Sequence, residues 1–219
     1  TRFDRVGQIT DTAHSVPQAA SFKAKRKVFI AGSSWPADEE LISQFINEHP
    51  NQNWCYIIAP HEIHESHLRN IEDQFTTSIR HIRFSQIGNE PLSKFDVLII
   101  DNFGMLTSLY AYGDIGYIGG GFGKSIHNTL EAATFSMPVI FGPKFHKFRE
   151  AKDLIDFGGG FTIDNYQTFE KLLTSLMVNS AKRLQAGETA GIYVRENRGA
   201  VDFILSCIEK QLNSLLAKV

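Results

Sequence analysis

The chain has 219 residues, which is enough for one large domain or for one domain with appendages. Its 42% hydrophobic content supports a substantial core, and a net charge of −2 without a basic run argues against nucleic acid as a partner. No apolar run approaches the roughly 18 residues that cross a bilayer. The chain opens on TRFDR without a Met, so we expect a piece of a longer protein and no signal peptide.

Apolar strands alternate with amphipathic helices from residue 27 onward. We expect residues 1–26 to be an interdomain linker or approach segment, helical around 15–22, and residues 27–219 to form one domain. The pattern predicts one helix that starts at Pro36 and a polar helix that follows Pro60-His61 and ends near Gln74. Further helices are predicted over 105–112, 125–136, 145–156, 166–185 and 190–218. It predicts strands over 27–31, 53–59, 79–84, 95–100, 115–118, 139–141 and 161–163. This alternation predicts an α/β fold with a Rossmann-like, doubly wound parallel sheet.

Residues 114–143, DIGYIGGGFGKSIHNTLEAATFSMPVIFGP, are the most informative stretch. A strand that ends in glycines and turns into a helix at Ser125 is typical of phosphate binding, because the helix N-terminus offers free N–H groups. The end of this loop is not a P-loop, since Ile118 stands where that motif needs glycine, and the dinucleotide pattern fails at Lys124. A tight turn without a ligand remains the alternative.

Four loops follow the ends of predicted parallel strands, namely 32–35, 60–61, 101–106 and 119–128. Because the carboxyl ends of parallel strands meet at one edge, we expect these loops to converge around a ligand with phosphate and hydroxyl groups. Ser33 and Ser34 are candidate sugar or phosphate contacts, although helix capping accounts equally well for one of them. We interpret Trp35 as a packing residue.

Three histidines, His61, His64 and His67, lie within seven residues and raise the question of a metal site. A helical spacing of three points their side chains in different directions, and the HExxH pattern is not met. We therefore predict a solvated polar helix face. No Asp-x-Asp pair occurs, so we also expect no nucleotide-bridging metal.

Five segments together resemble the 3-deoxy-D-manno-octulosonic acid (Kdo) transferases over nearly the whole chain. They are TRFDRV, AGSSWPADEE, IIAPHE, FREAKDLI and the long run from Asp101 to Pro143, whose HN-x-LE element and PVxxGP strand are the most specific part. The resemblance implies the C-terminal, donor-binding half of a GT-B glycosyltransferase that passes Kdo from CMP-Kdo to a lipid A precursor in lipopolysaccharide biosynthesis. It also implies an inverting, metal-independent enzyme at the cytoplasmic face of the bacterial inner membrane.

The same resemblance implies that the missing N-terminal half binds the lipid A precursor, contacts the membrane surface and supplies the catalytic base. We therefore expect no catalytic residue in this chain and no activity from it alone. No cofactor is expected besides the CMP-Kdo donor substrate.

The family's contacts with CMP, carried over to this sequence, fall on three stretches. They are Pro60 and His61; Gly104, Met105 and Leu106; and Asn128, Thr129, Leu130 and Glu131. The phosphate would be held by Gly121, Gly123, Lys124, Ser125 and His127, mainly through backbone N–H groups that stabilise the departing CMP. Asn128 and Glu131 are three residues apart, hence on one face of the predicted helix, where Glu131 can accept hydrogen bonds from hydroxyls.

Two positions depart from the family. Many members have arginine where this chain has His61, and glutamate where it has Met105. The first change removes a permanent cation, which a histidine replaces only when it is protonated or as a neutral donor. Two other functions stay open. One is the donor half of another GT-B enzyme that uses a UDP-sugar, and the other is a non-catalytic nucleotide-binding domain.

Overall fold

Seven parallel strands form one sheet in the computed structural model, which describes residues 2–12 and 14–216. The strand order is β3-β4-β2-β1-β5-β6-β7. The strands are β1 Lys27–Ser34, β2 Trp54–Pro60, β3 His81–Arg83, β4 Val97–Ile99, β5 Ile115–Ile118, β6 Val139–Phe141 and β7 Gly160–Thr162. The predicted parallel sheet is confirmed, with all seven expected strands at or near their predicted positions.

Helices cover both faces of the sheet. They are α1 Arg2–Thr12, α2 Pro17–Lys23, α3 Pro36–Glu48, α4 Glu65–Glu72, α5 Leu106–Leu109, α6 Leu130–Ala133, α7 Arg149–Phe157, α8 Tyr166–Val178, α9 Ser180–Glu196 and α10 Ala200–Leu216. Alternate residues of β1 belong to different apolar clusters, Val28 and Ile30 to one and Phe29 and Ala31 to the other. Each face of this central strand is therefore buried, as expected for a doubly wound parallel sheet.

The first two helices pack against the rest of the chain. Val6 and Phe22 are buried in the same apolar cluster as Val28, and the Phe3 ring meets Tyr193 edge-on at a centroid distance of 5.5 Å. The sequence predicted a helix near α2 but missed α1. The segment expected as a linker thus forms two packed helices, while the boundary at residue 26 stays a prediction.

The helices near the C-terminus have other bounds than predicted: α8 ends before residue 185, and α9 starts before residue 190. The expected helix over 166–185 breaks at Asn179, whose side-chain oxygen accepts the Lys182 N–H at 2.9 Å and so begins α9. The Arg183 guanidinium donates to the Leu176 and Met177 carbonyl oxygens at 2.8 and 3.2 Å, which satisfies the end of α8. The chain therefore folds as three helices after residue 165, where two were predicted.

Helix α10 presents apolar side chains to solvent. The exposed fraction of Phe203 is 70%, and Ile204, Leu205 and Ile208 are each at least half exposed. Among the described residues, no helix has the length and apolar character needed to cross a membrane. Contiguous exposed apolar surface is typical of protein–protein or membrane interaction sites.

Candidate functional site

The carboxyl ends of β1 and β5 lie side by side at the point where the strand order reverses. In the chain β1 is followed by β2 on one side, whereas β5 pairs with β1 on the other side. In open α/β sheets ligands bind at such a switch point. A cavity of about 110 Å³ lies there, lined by Gly32, Ser33, Leu106, Tyr110, Ile118, His127, Asn128 and Glu131.

The glycine loop does not turn into a helix at Ser125. Helix α6 begins only at Leu130 and contains four residues. The His127 N–H donates to the Gly119 carbonyl at 3.1 Å and the Ile126 N–H to the Lys144 carbonyl at 3.3 Å. The predicted helix over 125–136 is therefore wrong in its first part and holds only for residues 130–133, because the backbone of 126–127 bonds to other segments. Ile126 and His127 offer no free N–H group to a phosphate.

Two glycines of the loop are explained by the fold itself. Gly120 has φ +91°, a conformation that side chains disfavour, and a Cβ on Gly121 would lie 2.6 Å from the Gly142 Cα. The Gly120 N–H also donates to the Asp38 carboxylate at 2.8 Å. The glycine run alone therefore does not distinguish a ligand site from a tight turn, and the side chains around it must decide.

Asp38 holds the loop to the start of α3. Its buried carboxylate accepts the Trp35 N–H at 3.0 Å, the Tyr117 hydroxyl at 2.6 Å and the Gly120 N–H. Burial raises the pKa of Asp38, although these hydrogen bonds oppose the shift. Asp38 was not among the predicted site residues. Its position two residues after Pro36 is a helix-start signal, but the contact with Gly120 follows only from the tertiary fold.

Ser33 and Ser34 have different surroundings. Ser33 has φ +52° and lines the cavity. Ser34 is 1% exposed and donates its hydroxyl to Glu39 at 2.9 Å, and Glu39 in turn meets the His67 Nε2 at 3.1 Å. Burial is the main cause of a raised pKa for Glu39. Ser33 thus remains a candidate ligand contact, whereas the Ser34 hydroxyl is used inside the core.

Three rings stack beside the cavity. The His61 ring stacks on both Trp35 and His127, at centroid distances of 4.7 and 4.6 Å. The Trp35 Nε1–H donates to the His127 Nε2 at 3.1 Å, which leaves the Nδ1 of a neutral His127 to carry the proton. Burial, and next the nearby His61, lower the pKa of His127. Trp35 therefore orients a candidate site residue, in addition to the packing role that we predicted.

The three neighbouring histidines do not share a site. His64 caps α4 by accepting the His67 N–H at 3.2 Å, and His67 is buried against Glu39. The predicted solvated face is therefore wrong for His67. Among the described residues, one group of three potential metal ligands has its ligand atoms within 4.8 Å of one another; it lies at the end of α3 and consists of Glu48, His49 and Glu170.

Asn128 and Glu131 form the polar wall of the cavity. The Asn128 side chain donates to the Glu131 carboxylate at 3.0 Å and also accepts the Leu130 N–H at 3.2 Å. The charge of Glu131 reaches Tyr110, whose pKa is raised first by burial and then by this carboxylate. A carboxylate held in this way at a cavity wall can accept hydrogen bonds from ligand hydroxyls.

A second, larger cavity of about 620 Å³ shares His127 with the first. Its lining includes Trp35, Phe122 and four of the predicted phosphate contacts, Gly123, Lys124, Ser125 and His127. The remaining predicted residues line neither cavity. Pro60 ends β2, Gly104 and Met105 precede α5, Gly121 packs on Gly142, and Thr129 and Leu130 are buried.

Comparison with known proteins adds sequence relatives and structural neighbours. No protein-family model matches the chain. The 3-deoxy-D-manno-octulosonic acid transferase of Rickettsia typhi is 31% identical over 188 residues, which is 84% of this chain and 40% of that enzyme. The chain thus spans about two fifths of the length of this curated relative. The predicted resemblance to the Kdo transferases is confirmed by sequence over that part.

Solved structures show the same fold. The C-terminal CMP-Kdo binding domain of WaaA from Acinetobacter baumannii aligns with a TM-score of 0.61 and 18% identity, over 85% of this chain and 96% of that domain. HepE of Anabaena in complex with UDP-glucose aligns with a TM-score of 0.62 and 14% identity, over 96% of this chain and 55% of HepE. At these identities the likeness establishes the fold alone, and it is the predicted fold of a GT-B C-terminal half.

Proposed function

We propose that this relative of the Kdo transferases is the donor-binding domain of a glycosyltransferase that moves Kdo from CMP-Kdo to a lipid A precursor. The observation that carries the proposal is the cavity between β1 and β5, where the Asn128–Glu131 pair faces the predicted nucleotide position. The similarity to the CMP-Kdo binding domain of WaaA supports the choice of donor.

In this proposal, each of the two cavities binds a different part of the donor. Glu131 accepts hydrogen bonds from the ribose hydroxyls at the small cavity, because a carboxylate is an acceptor only. The phosphate lies beside His127, within reach of the Lys124 ammonium group and of the backbone at Ser125 in the larger cavity. The Nδ1–H of a neutral His127 donates there. These groups supply positive charge and hydrogen-bond donors to the phosphate.

The chemistry is a direct displacement with inversion. An acceptor hydroxyl forms a bond to the anomeric carbon of Kdo while the bond to the phosphate oxygen breaks, and CMP leaves with the electron pair. The chain's own contribution is to stabilise the charge that develops on the departing phosphate. We propose that Lys124 and the loop donors do this without a metal or cofactor. The base that takes the acceptor proton belongs to residues outside this chain.

The two departures from the family fit a rearranged contact with the donor. His61 does not extend freely in place of an arginine, since its ring stacks on both Trp35 and His127. We propose that it acts on the donor through His127, whose position the stack fixes. We assign the binding of the lipid acceptor and the contact with the membrane to the rest of the protein. The whole enzyme would work at the cytoplasmic face of the inner membrane.

A nucleotide titration tests the donor. CMP and UDP are each added to the 219-residue chain while the melting temperature is followed, because a ligand at about 100 times its Kd stabilises the fold by about 2.7 kcal/mol. We expect CMP to raise the melting temperature and UDP to have little effect. A preference for UDP would favour the UDP-sugar alternative, since HepE, which shares this fold, was solved in complex with UDP-glucose. No stabilisation by either would refute a nucleotide site.

A second experiment separates an enzyme from a nucleotide sensor. The chain is joined to the N-terminal part of a Kdo transferase, and transfer of Kdo to a lipid A precursor is measured. Transfer supports the proposed enzyme. CMP binding without any transfer in the complete protein would favour the non-catalytic alternative.

A further inference from the structure

A third cavity lies at the opposite edge of the sheet, where β2, β3 and β4 begin. Its volume is about 660 Å³, within the roughly 300–1,000 Å³ typical of small-molecule sites. Arg26 borders it just before β1, and Tyr56 borders it from β2. The loops before β3 and β4 contribute Arg80 and Asp96. The strand amino ends are far from the candidate donor site, so this cavity is a separate feature.

Two polar atoms at this cavity are buried without a partner. The Tyr56 hydroxyl and the Arg26 Nε make no hydrogen bond to any residue that the structure describes, and Tyr56 is only 2% exposed. Two other buried tyrosine hydroxyls, those of Tyr117 and Tyr193, donate to Asp38 and Asp153. An unpaired buried hydroxyl costs stability, whereas a phenylalanine would fill the same space without that cost. Tyr56 therefore indicates a partner that enters the cavity.

The charges around the cavity favour an anion. Three cations line it, Arg26, Arg80 and Lys94, against a single carboxylate, Asp96. That carboxylate already accepts the Arg80 backbone N–H at 2.9 Å. The Arg26 Nη1 donates to the Phe95 carbonyl at 2.7 Å and its Nη2 to the Phe22 carbonyl, which fixes the guanidinium and leaves its buried Nε as the one nitrogen unpaired among the described residues. Lys94 forms an ion pair with Glu90 at 3.4 Å, but both side chains are about half exposed, so this pair is weak.

We propose that this cavity binds a small organic phosphate, at a site distinct from the donor site. The phosphate pairs with the Arg80 and Lys94 side chains and accepts from the Arg26 Nε–H. The Tyr56 hydroxyl, with Ser78 and Ser93 at the cavity edge, bonds the hydroxyl groups of the organic part. A carboxylate-bearing anion offers the same charge, so the test must separate the two. The proposal does not depend on the identity of the donor.

Nuclear magnetic resonance on the 219-residue chain tests this directly. Ribose 5-phosphate, pyrophosphate and citrate are titrated separately into ¹⁵N-labelled protein. We expect ribose 5-phosphate to give saturable shifts at residues 52–56, 78–81 and 93–97 and at the Arg26 Nε–H, with a Kd below about 1 mM, and citrate to bind at least tenfold more weakly. No saturation at about 10 mM, shifts confined to 119–131, or equal binding of citrate would each overturn the proposal.

Matched variants show which groups carry the binding. Arg80→Gln should weaken ribose 5-phosphate binding at least tenfold, whereas Arg149→Gln, on the exposed surface of α7, should leave it unchanged. Tyr56→Phe should weaken binding several-fold while leaving the free protein as stable as before or more so. Equal effects of Arg80→Gln and Arg149→Gln would indicate general charge attraction and overturn the proposal. Unchanged binding in Tyr56→Phe would do the same.

Discussion

Replacing Glu131 tests the proposed donor site most directly. Its carboxylate faces the small cavity and accepts the Asn128 side-chain N–H at 3.0 Å. Glu131→Ala removes the acceptor for ligand hydroxyls and also the bond to Asn128. Glu131→Gln keeps a side chain of the same shape that can still accept from Asn128, but it loses the negative charge. The two variants therefore separate the contribution of the charge from that of the loop contact.

The expected magnitude follows from the hydrogen bonds involved. A hydrogen bond to a charged group contributes about 1.5–3 kcal/mol and a neutral one about 1 kcal/mol. Losing the acceptor for one or two ribose hydroxyls should therefore cost at least about 1.4 kcal/mol, which is tenfold in affinity. We expect the Kd for CMP to rise at least tenfold in Glu131→Ala, and by a smaller factor in Glu131→Gln.

Isothermal titration calorimetry with CMP measures both variants against the unchanged chain. Glu188→Gln is the matched control, because Glu188 is exposed on α9 and lines neither cavity at the carboxyl edge of the sheet. Circular dichroism and thermal melting must show that each variant still folds. An unchanged Kd for CMP in folded Glu131→Ala would refute the assignment of this residue. An equal loss in Glu188→Gln would show that only overall charge matters.

Two further predictions concern the surroundings of the same cavity. Gly32→Ala places a Cβ 2.0 Å from the Tyr110 hydroxyl oxygen and should lower the free energy of unfolding in urea by about 1–3 kcal/mol. Gly88→Ala, which meets no atom within 4 Å, should change it by less than about 0.5 kcal/mol, and equal effects would contradict the packing argument. The Trp35 indole N–H signal should titrate with a midpoint below pH 6.5, because the pKa of its acceptor His127 is lowered, and His127→Gln should abolish that step. A midpoint of this Trp35 titration at or above pH 6.5 would contradict the burial of His127. Because the pKa of His127 is lower in the folded than in the unfolded chain, its protonation favours unfolding as the pH falls below 6.5.

Local sequence patterns were sufficient for the order of the strands along the chain. The apolar runs at 28–31 and 97–100 are buried on both faces, which is why they were recognisable as parallel strands. The loops that follow β1, β4 and β5 also met as expected, because parallel strands place their carboxyl ends at one edge. The quoted segments also sufficed for the resemblance to the Kdo transferases, which the sequence relatives confirm.

The contacts that shape the site depended on the tertiary fold. Sequence predicted a helix from Ser125, but the backbone of 126–127 pairs with Lys144 and Gly119 instead. The position of β4 between β3 and β2 likewise has no local signal.

The contacts among the side chains of the site also depend on the tertiary fold. The Trp35–His61–His127 stack and the Asp38–Gly120 hydrogen bond join residues that are 26 to 92 positions apart in the chain. Periodicity and turn residues report which side chains are buried and where the chain bends. They carry no information on distant hydrogen-bond partners, because strand order decides which loops become neighbours.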